Sequence, residues 1–516
     1  MPRSTVFDRD FLQTMALAIF VVTALFTWQG RTGFNLWDEG FLWYGAQRVV
    51  LGEVPVRDFM SYDPGRYYWS ATLMSLWGNN GIMTLRGAVA IFQAMGLFVG
   101  LLLIARATKK QSFLYLLLSA VTLAVWMFPR HKLFDISLSI FLIGVLTFLV
   151  QNPSIRRHFL TGLCVGIVAT FGRNHGVYAL AGSLAVMCWL SIKRTEVPEL
   201  FKCFTYWALG VATGYAPILI MVLLVPGFAV GFWDSIRFMF EMKATNIPLP
   251  IPWPWRVNFN SMSPGDAARG VLIGLFFIAT VVFGVLSIAW AVWQKMHAKQ
   301  VSPTLVAAAS LALPYAHYAY SRADVGHLAL GIFPLLVGCL VLLAAQHAKI
   351  KWSLSLILCA ASLWVSLIAH PGWQCHISKQ CVDVEISSNM LQVDPGTAND
   401  IGLLRKLAQQ YAPDDQAFIA TPFWPGAYAL LERKSPMWEI YALLPVSQSF
   451  ERAEIDRLRK AKPAFAFVYD LPLDGREELR FRNTHPLTHQ YILDNFEPLQ
   501  NLSHQAYQIY KAKVGD

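Results

Sequence analysis

The residues best placed to do chemistry lie in one short stretch, residues 37–69, WDEGFLWYGAQRVVLGEVPVRDFMSYDPGRYYW. It contains five carboxylates and three arginines, directly after the first apolar segment. A carboxylate deep in hydrocarbon costs about 2.5–3.5 kcal/mol, so an acid near that boundary usually faces a partner or a wet cavity. The adjacent pair Asp38 and Glu39 is therefore the candidate catalytic pair, with one acid acting as a general base.

Two roles stay open for this pair. Neighbouring residues on a helix point about 100° apart, so one carboxylate can face a cavity while a base or a divalent metal holds the other. The following residues, GFLWYGAQRVVL, predict an amphipathic helix lying along the membrane interface, and Asp38 is also suited to cap its first turn.

Basic side chains recur in the segments that separate other apolar runs. Guanidinium and imidazole groups are suited to binding phosphate, although bases at helix ends also reach for lipid headgroups. The candidate phosphate and substrate ligands are Arg66, Arg130, His131, Lys132, Arg173, His175, Arg322 and His327, with Tyr62, Asp63 and Asp324 in secondary positions. With the acidic pair they predict transfer from an anionic lipid-linked donor, in which cations stabilise the departing phosphate.

Composition requires a membrane to position these groups. The 516 residues are 55% hydrophobic and 14% charged, with a mean hydropathy of +0.43. A helix needs about 20 apolar residues to cross the hydrocarbon. About eleven segments approach this length, and they are 12–29, 82–105, 112–128, 134–150, 159–172, 176–192, 204–225, 269–293, 302–319, 326–345 and 352–369.

The charges between these segments predict the topology. No cleavage pattern follows the first apolar segment, so we expect a retained helix with a cytoplasmic N-terminus. Every predicted inner loop is then basic, as the positive-inside rule requires. The first outer loop, 30–80, and the C-terminal region fall on the periplasmic side of a bacterial inner membrane. Since topology accounts for most of the net charge of +10, no nucleic-acid partner is expected.

Charge and hydropathy both change near residue 370. Residues 1–370 carry a net charge of +13 and residues 371–516 a net charge of −3. The second region alternates helical patterns such as SFERAEIDRLRKA with strand patterns such as PAFAFVYD. We therefore expect a membrane domain over 1–370 and a soluble α/β domain over 371–516. Cys375 and Cys381, at its start, could form a disulfide in an oxidising space or remain two thiols.

At residues 37–69 the sequence resembles the polytopic GT-C glycosyltransferases, in particular the bacterial lipid A aminoarabinose transferases and the protein O-mannosyltransferase-like enzymes. The resemblance implies an inverting enzyme that uses a polyprenyl-phosphate sugar and a glycan, lipid or protein acceptor. It also implies that Asp38 is the base and Glu39 its companion. The run YDPGRYYW departs from the Lys-Pro-Pro type run of many relatives, because the cation is Arg66 and only Pro64 is kept.

Two other classes share part of this pattern. An oligosaccharyltransferase would use a pyrophosphate-linked glycan, often with a divalent metal, but the C-terminal region has no WWDYG-like run. A lipid-linked sugar transporter usually has ionisable groups near the bilayer centre and internal repeats. Because the acids and the candidate ligands gather at one predicted face, the sequence favours the transferase.

Overall fold

The computed structural model describes residues 8–107, 112–192, 200–242, 246–375, 380–499 and 507–513. The bases of two predicted inner loops, at 109–110 and 193–194, lie outside these residues. In chain order the helices are α1 (Arg9–Gln29), α2 (Asp38–Val50), α3 (Pro64–Leu76), α4 (Ile82–Ala105), α5 (Phe113–Ala124), α6 (Leu133–Gln151), α7 (Ile155–Phe171), α8 (Arg173–Ser191), α9 (Leu200–Gly214), α10 (Ala216–Leu224), α11 (Phe228–Met242), α12 (Pro264–Met296), α13 (Pro303–Ser321), α14 (Val325–Gly331), α15 (Phe333–Ala344), α16 (Ala348–Ser366), α17 (Pro395–Tyr411), α18 (Pro425–Leu430), α19 (Gln448–Ala461), α20 (Phe481–Thr484) and α21 (Pro486–Asn495). The strands are β1 (Val382–Ile386), β2 (Asn389–Val393), β3 (Ile419–Thr421), β4 (Phe465–Val468), β5 (Phe496–Pro498) and β6 (Gln508–Ala512).

Each predicted apolar segment coincides with a helix or with two helices separated by a bend. The bends lie between α9 and α10, at 52°, and between α14 and α15, at 57°. By length and composition, five helices of the described residues can cross a membrane, or seven if each bent pair forms one span. The protein is a multi-pass helical membrane protein, as predicted. The full count of eleven crossings stays a prediction, since α5 has only 12 residues and α7 only 17.

Contacts divide the chain into two compact units. The first contains Met1–Gly30, Gly87–Leu219 and Asn246–Ile377, and the second contains Arg31–Arg86, Ile220–Thr245 and Ser378–Asp516. The first predicted outer loop and α11 thus belong to the same unit as the C-terminal sheet. The sequence-based boundary at residue 370 separates apolar from mixed composition, whereas this division follows packing.

In the first unit α13 packs against α6, α8, α12, α14 and α15. Its small residues, such as Ala307, Ala308 and Ala309, are buried and allow close approach. Glycines bring α7 and α9 even closer, because a Cβ on Gly162 would lie 2.0 Å from the Trp207 carbonyl oxygen. Gly210 faces the Phe159 carbonyl oxygen in the same way, at 2.1 Å. Backbone contact therefore holds this helix pair.

The second unit contains a four-stranded sheet in the order β3-β4-β6-β5. Strands β3 and β4 are parallel, whereas β4 with β6 and β6 with β5 are antiparallel. Ile419, Leu458, Phe481 and Ile492 belong to its buried core. Side chains cap the helices that follow loops, as in α19, where the Ser447 hydroxyl accepts a hydrogen bond from the Phe450 N–H. The predicted C-terminal sheet and helices are confirmed.

Candidate active site

Asp38 is the first residue of α2, in the second unit. The Asn35 side-chain oxygen accepts the backbone N–H groups of Trp37 and Asp38, at 2.8 and 2.9 Å, so Asn35 supplies the cap that Asp38 was suited to provide. The Asp38 carboxylate instead accepts a hydrogen bond from the Tyr441 hydroxyl, at 2.8 Å. Asp38 is only part-buried. Its carboxylate is thus oriented by a tyrosine from a distant part of the sequence.

The neighbouring acid, Glu39, is committed to a buried ion pair. Its two carboxylate oxygens accept hydrogen bonds from Nε and Nη2 of Arg86, both at 2.8 Å, and both side chains are at most 7% exposed. Arg86 also donates to the Gly33 carbonyl oxygen at 2.7 Å. This matches the expectation that a base would hold one of the two acids. The described residues contain no group of three or more His, Cys, Asp or Glu side chains suited to a metal ion.

The predicted amphipathic helix with one exposed face is not observed for α2, whereas its position at the membrane interface stays a prediction. Residues 39–47 are all buried, because α2 packs against α3 and α18 within the second unit. Gly40 permits this packing, since a Cβ there would lie 2.5 Å from the Gly426 Cα. The helix is therefore a rigid support for Asp38.

Aromatic contacts connect Arg66 with the partner of Asp38. Arg66 is 2% exposed, and its guanidinium lies 4.5 Å from the centre of the Tyr62 ring. Tyr62 packs edge-on against Phe41, with centroids 4.8 Å apart, and Phe41 contacts Tyr441 at 5.5 Å. These contacts form a continuous series that runs from Arg66 to Tyr441, the hydrogen-bond partner of Asp38. Asp63, also buried, immediately precedes α3.

In the first unit, His175 is not placed to bind a substrate phosphate. It is completely buried, its Nε2 lies 2.6 Å from the Asp135 carboxylate, and its Nδ1 lies 2.9 Å from the Tyr315 hydroxyl. Both ring nitrogens are therefore used inside the helix bundle. The sequence pattern placed His175 at the end of a span, but α8 begins at Arg173 and turns this side chain towards α6 and α13.

Arg322, Asp324 and His327 form a compact group between α13 and α14. The Asp324 carboxylate accepts hydrogen bonds from Arg322 Nε at 2.9 Å and from His327 Nδ1 at 3.0 Å. Burial alone would raise the pKa of Asp324, but the hydrogen bonds and charge of His327 lower it below its usual value. All three side chains are partly exposed. This group presents two basic side chains organised by one carboxylate.

The other predicted bases differ in burial. Arg130, His131 and Lys132 form a short 3-10 turn before α6, in which His131 is buried and the other two are half-buried. Arg130 donates to the Gln29 carbonyl oxygen at 3.5 Å. Arg173 is half-buried at the start of α8. Cationic side chains thus lie next to helix ends, as the sequence indicated.

Comparison with solved structures identifies the fold. No family model matches the sequence, and the search of curated proteins found no match. ArnT from Cupriavidus metallidurans bound to undecaprenyl phosphate aligns with a TM-score of 0.56 and 12% identity, over 97% of both chains. Apo ArnT aligns with a TM-score of 0.55 and 13% identity, over 97% of this chain and 98% of ArnT. The chain has the GT-C fold.

The apo oligosaccharyltransferase of Archaeoglobus fulgidus aligns at 11% identity with a TM-score of 0.49, over 99% of this chain and 76% of that chain. The likeness to ArnT confirms the GT-C architecture that the first-loop motif predicted, and it extends over almost the whole chain rather than over residues 37–69 alone.

Sequence reasoning missed two residues that contact the acidic pair. Arg86 had a usable signal, because it is the single charged side chain in the apolar helix α4 and therefore requires a buried partner. Tyr441 had none, since it lies 403 residues from Asp38 in sequence. Arg48 and Arg57, the other two arginines of residues 37–69, form ion pairs with Glu53 and Asp58.

Cys375 and Cys381 are disulfide-bonded in this structure. The other five cysteines, all among the described residues, form no disulfide.

Proposed function

We propose that this protein is an inverting glycosyltransferase that moves one sugar from a polyprenyl-phosphate donor to a periplasmic acceptor, which is a glycan, a lipid or a protein. The observation that carries the proposal is the pairing of a part-exposed Asp38, oriented by Tyr441, with a Glu39 fully engaged by Arg86. One acid of the pair is partly exposed, and the other fixes the helix that presents it.

In the proposed reaction the Asp38 carboxylate accepts the proton of the attacking acceptor hydroxyl. The hydroxyl oxygen forms a bond to the anomeric carbon from the face opposite the phosphate. The bond between that carbon and the phosphate oxygen breaks, and its electron pair leaves with the polyprenyl phosphate. Such a single displacement inverts the anomeric centre.

The leaving phosphate gains negative charge and requires cationic partners. We propose Arg66 for this role in the second unit. In the first unit we propose Arg130, Lys132, Arg173, Arg322 and His327. Crystals of ArnT, whose fold this chain shares, contain undecaprenyl phosphate, which supports a lipid phosphate as the carrier. His131 and His175, which are buried, are proposed as structural.

The test is transfer of radiolabel from a panel of polyprenyl-phosphate sugars to membrane extracts. Purified wild type would be compared with Asp38→Asn and with the control Asp456→Asn, which changes an exposed aspartate on α19. We expect one donor to be consumed by wild type and the control, and lost activity with retained donor binding in Asp38→Asn. Equal transfer by all three proteins would remove Asp38 from the mechanism. Consumption of a pyrophosphate-linked glycan instead would favour an oligosaccharyltransferase.

A further inference from the structure

The second unit contains a cavity that the proposed reaction does not use. It has a volume of about 290 Å³ and lies between α11, α19 and the segments around Val56 and Trp438. This volume is near the lower end of the range of about 300–1,000 Å³ for small-molecule sites. A single ring-sized ligand matches it.

The apolar wall of the cavity is aromatic and preformed. Phe238, Trp438 and Phe450 line it and contact one another, with centroid separations of 4.9 to 6.1 Å. The Trp438 indole N–H donates to the Val56 carbonyl oxygen at 2.9 Å, and its backbone N–H donates to the buried Glu454 carboxylate at 2.8 Å. The indole is therefore held in place before any ligand binds.

The polar wall carries charges of both signs on α11. Arg237 lies 3.8 Å from the Asp234 carboxylate and 3.6 Å from that of Glu241, and its side chain is 61% exposed. These distances exceed those of good hydrogen bonds, so each of the three groups can replace its contact with the others by a hydrogen bond to a ligand. The cavity also presents the hydroxyl of Ser449.

This chemistry selects among ligand classes. A phosphate would need cations without nearby acids, whereas Asp234 and Glu241 flank Arg237, and Arg57 and Arg457 are paired with Asp58 and Glu454. A purely apolar ligand would contact the aromatic wall but make no hydrogen bond to Asp234, Arg237 or Glu241, which also line the cavity. Planar donors and acceptors beside an aromatic face are suited to the hydroxyl groups and the C–H face of a sugar ring.

The cavity is also connected to the proposed base through the backbone. Trp438 lines it, and Tyr441, three residues later, donates a hydrogen bond to Asp38. Three extended residues span at most about 11 Å. We propose that this cavity binds a neutral sugar ring of the acceptor, adjacent to the acceptor residue that receives the transferred sugar. The acceptor role rests on the proposed function, so the acceptor is inferred to be a glycan or glycoconjugate.

Binding is tested by saturation-transfer NMR on the purified full chain in detergent, with methyl glycosides of hexoses, pentoses and N-acetylhexosamines as probes. The variant is Arg237→Gln. Its matched control is Arg459→Gln, on α19, which is 65% exposed and also pairs with an acid three residues away, but does not line the cavity. We expect at least one probe to bind, with a dissociation constant raised about fivefold or more in Arg237→Gln and unchanged in Arg459→Gln.

Failure to bind any probe, equal binding by both variants, or displacement of the sugar by inorganic phosphate would overturn the inference. Transfer of label from the lipid-linked donor to membrane extracts is measured on the same proteins, and it separates the two proposals. Transfer without sugar binding contradicts only the cavity assignment. Sugar binding that depends on Arg237, in a protein that consumes no donor, contradicts the proposed function and with it the acceptor role.

Discussion

At the scale of single residues, the site depends on a tyrosine that orients an acid. The Tyr441 hydroxyl donates to the carboxylate of Asp38 at 2.8 Å, and its ring packs on Phe41. Phe41 belongs to the buried face of α2. The proposed function therefore assigns Tyr441 the role of a positioning residue, which orients the Asp38 carboxylate without reacting itself.

Tyr441→Phe removes this hydrogen bond and keeps the ring. A hydrogen bond to a charged group is worth about 1.5–3 kcal/mol, so we expect kcat to fall roughly 10- to 150-fold with the KM for the donor unchanged. Steady-state transfer kinetics would measure both parameters. Tyr491→Phe, on the sheet core, is the control. An unchanged kcat in Tyr441→Phe would show that the contact does not matter for the reaction.

His485 makes the stability of the C-terminal region depend on pH. Burial alone would lower its pKa, but the carboxylate of Glu439, at 2.9 Å, and those of Glu451 and Glu454 raise it above the usual value. Burial also raises the pKa of Glu454. Both groups bind protons more tightly in the folded state. The stabilisation from protonated His485 is therefore fully present below about pH 6.5, and it is lost as pH rises through the raised pKa of His485.

We expect the midpoint of thermal unfolding to fall as pH rises from about 6.5, and this fall to be smaller in His485→Gln. His489→Gln is the control, because burial lowers the pKa of His489 and its effect has the opposite sign. Differential scanning fluorimetry in detergent would follow the midpoint. A wild type and a His485→Gln variant with the same pH dependence would exclude this histidine as the cause.

At the scale of elements, a buried ion pair fixes α2. Glu39 and Arg86 are both almost fully buried, so removing one partner leaves an uncompensated charge. We expect Arg86→Met to destabilise the protein by about 3–5 kcal/mol. Arg106→Met breaks the exposed pair with Asp8 and should cost no more than about 1 kcal/mol. Similar unfolding midpoints for the two variants would contradict the structural role of the buried pair.

Glycine determines how closely α7 and α9 pack. A Cβ at Gly162 would meet the Trp207 carbonyl oxygen at 2.0 Å, and a backbone atom cannot rotate away. We expect Gly162→Ala to cost about 1–3 kcal/mol or more. Gly402→Ala, in α17, meets nothing within 4 Å and should stabilise by about 0.5–1 kcal/mol. Midpoints of thermal unfolding that shift in opposite directions from wild type would support this packing, whereas two unchanged midpoints would contradict it.

At the scale of the whole molecule, the sequence predicted the elements better than their associations. Apolar segments mark helices because length and hydropathy are local properties. The Asp38–Glu39 motif indicated the GT-C fold because it too is a local pattern in the sequence. The contacts of Tyr441 with Asp38 and of His175 with Asp135 join residues far apart in sequence, and local patterns contain no record of them. Burial, which decides whether a histidine can bind a ligand, follows from those long-range contacts.

Orientation in the membrane is the remaining prediction at this scale. The basic inner loops predict a periplasmic C-terminus, and the disulfide-bonded state of Cys375 and Cys381 agrees with an oxidising compartment. We expect alkaline phosphatase fused after residue 516 to be active and a green fluorescent protein fused there to be dark. Fusions after Lys351, in a predicted inner loop, should behave in the opposite way. Fluorescence at the C-terminus would invert the topology and place Asp38 on the cytoplasmic side, where a periplasmic acceptor cannot reach it.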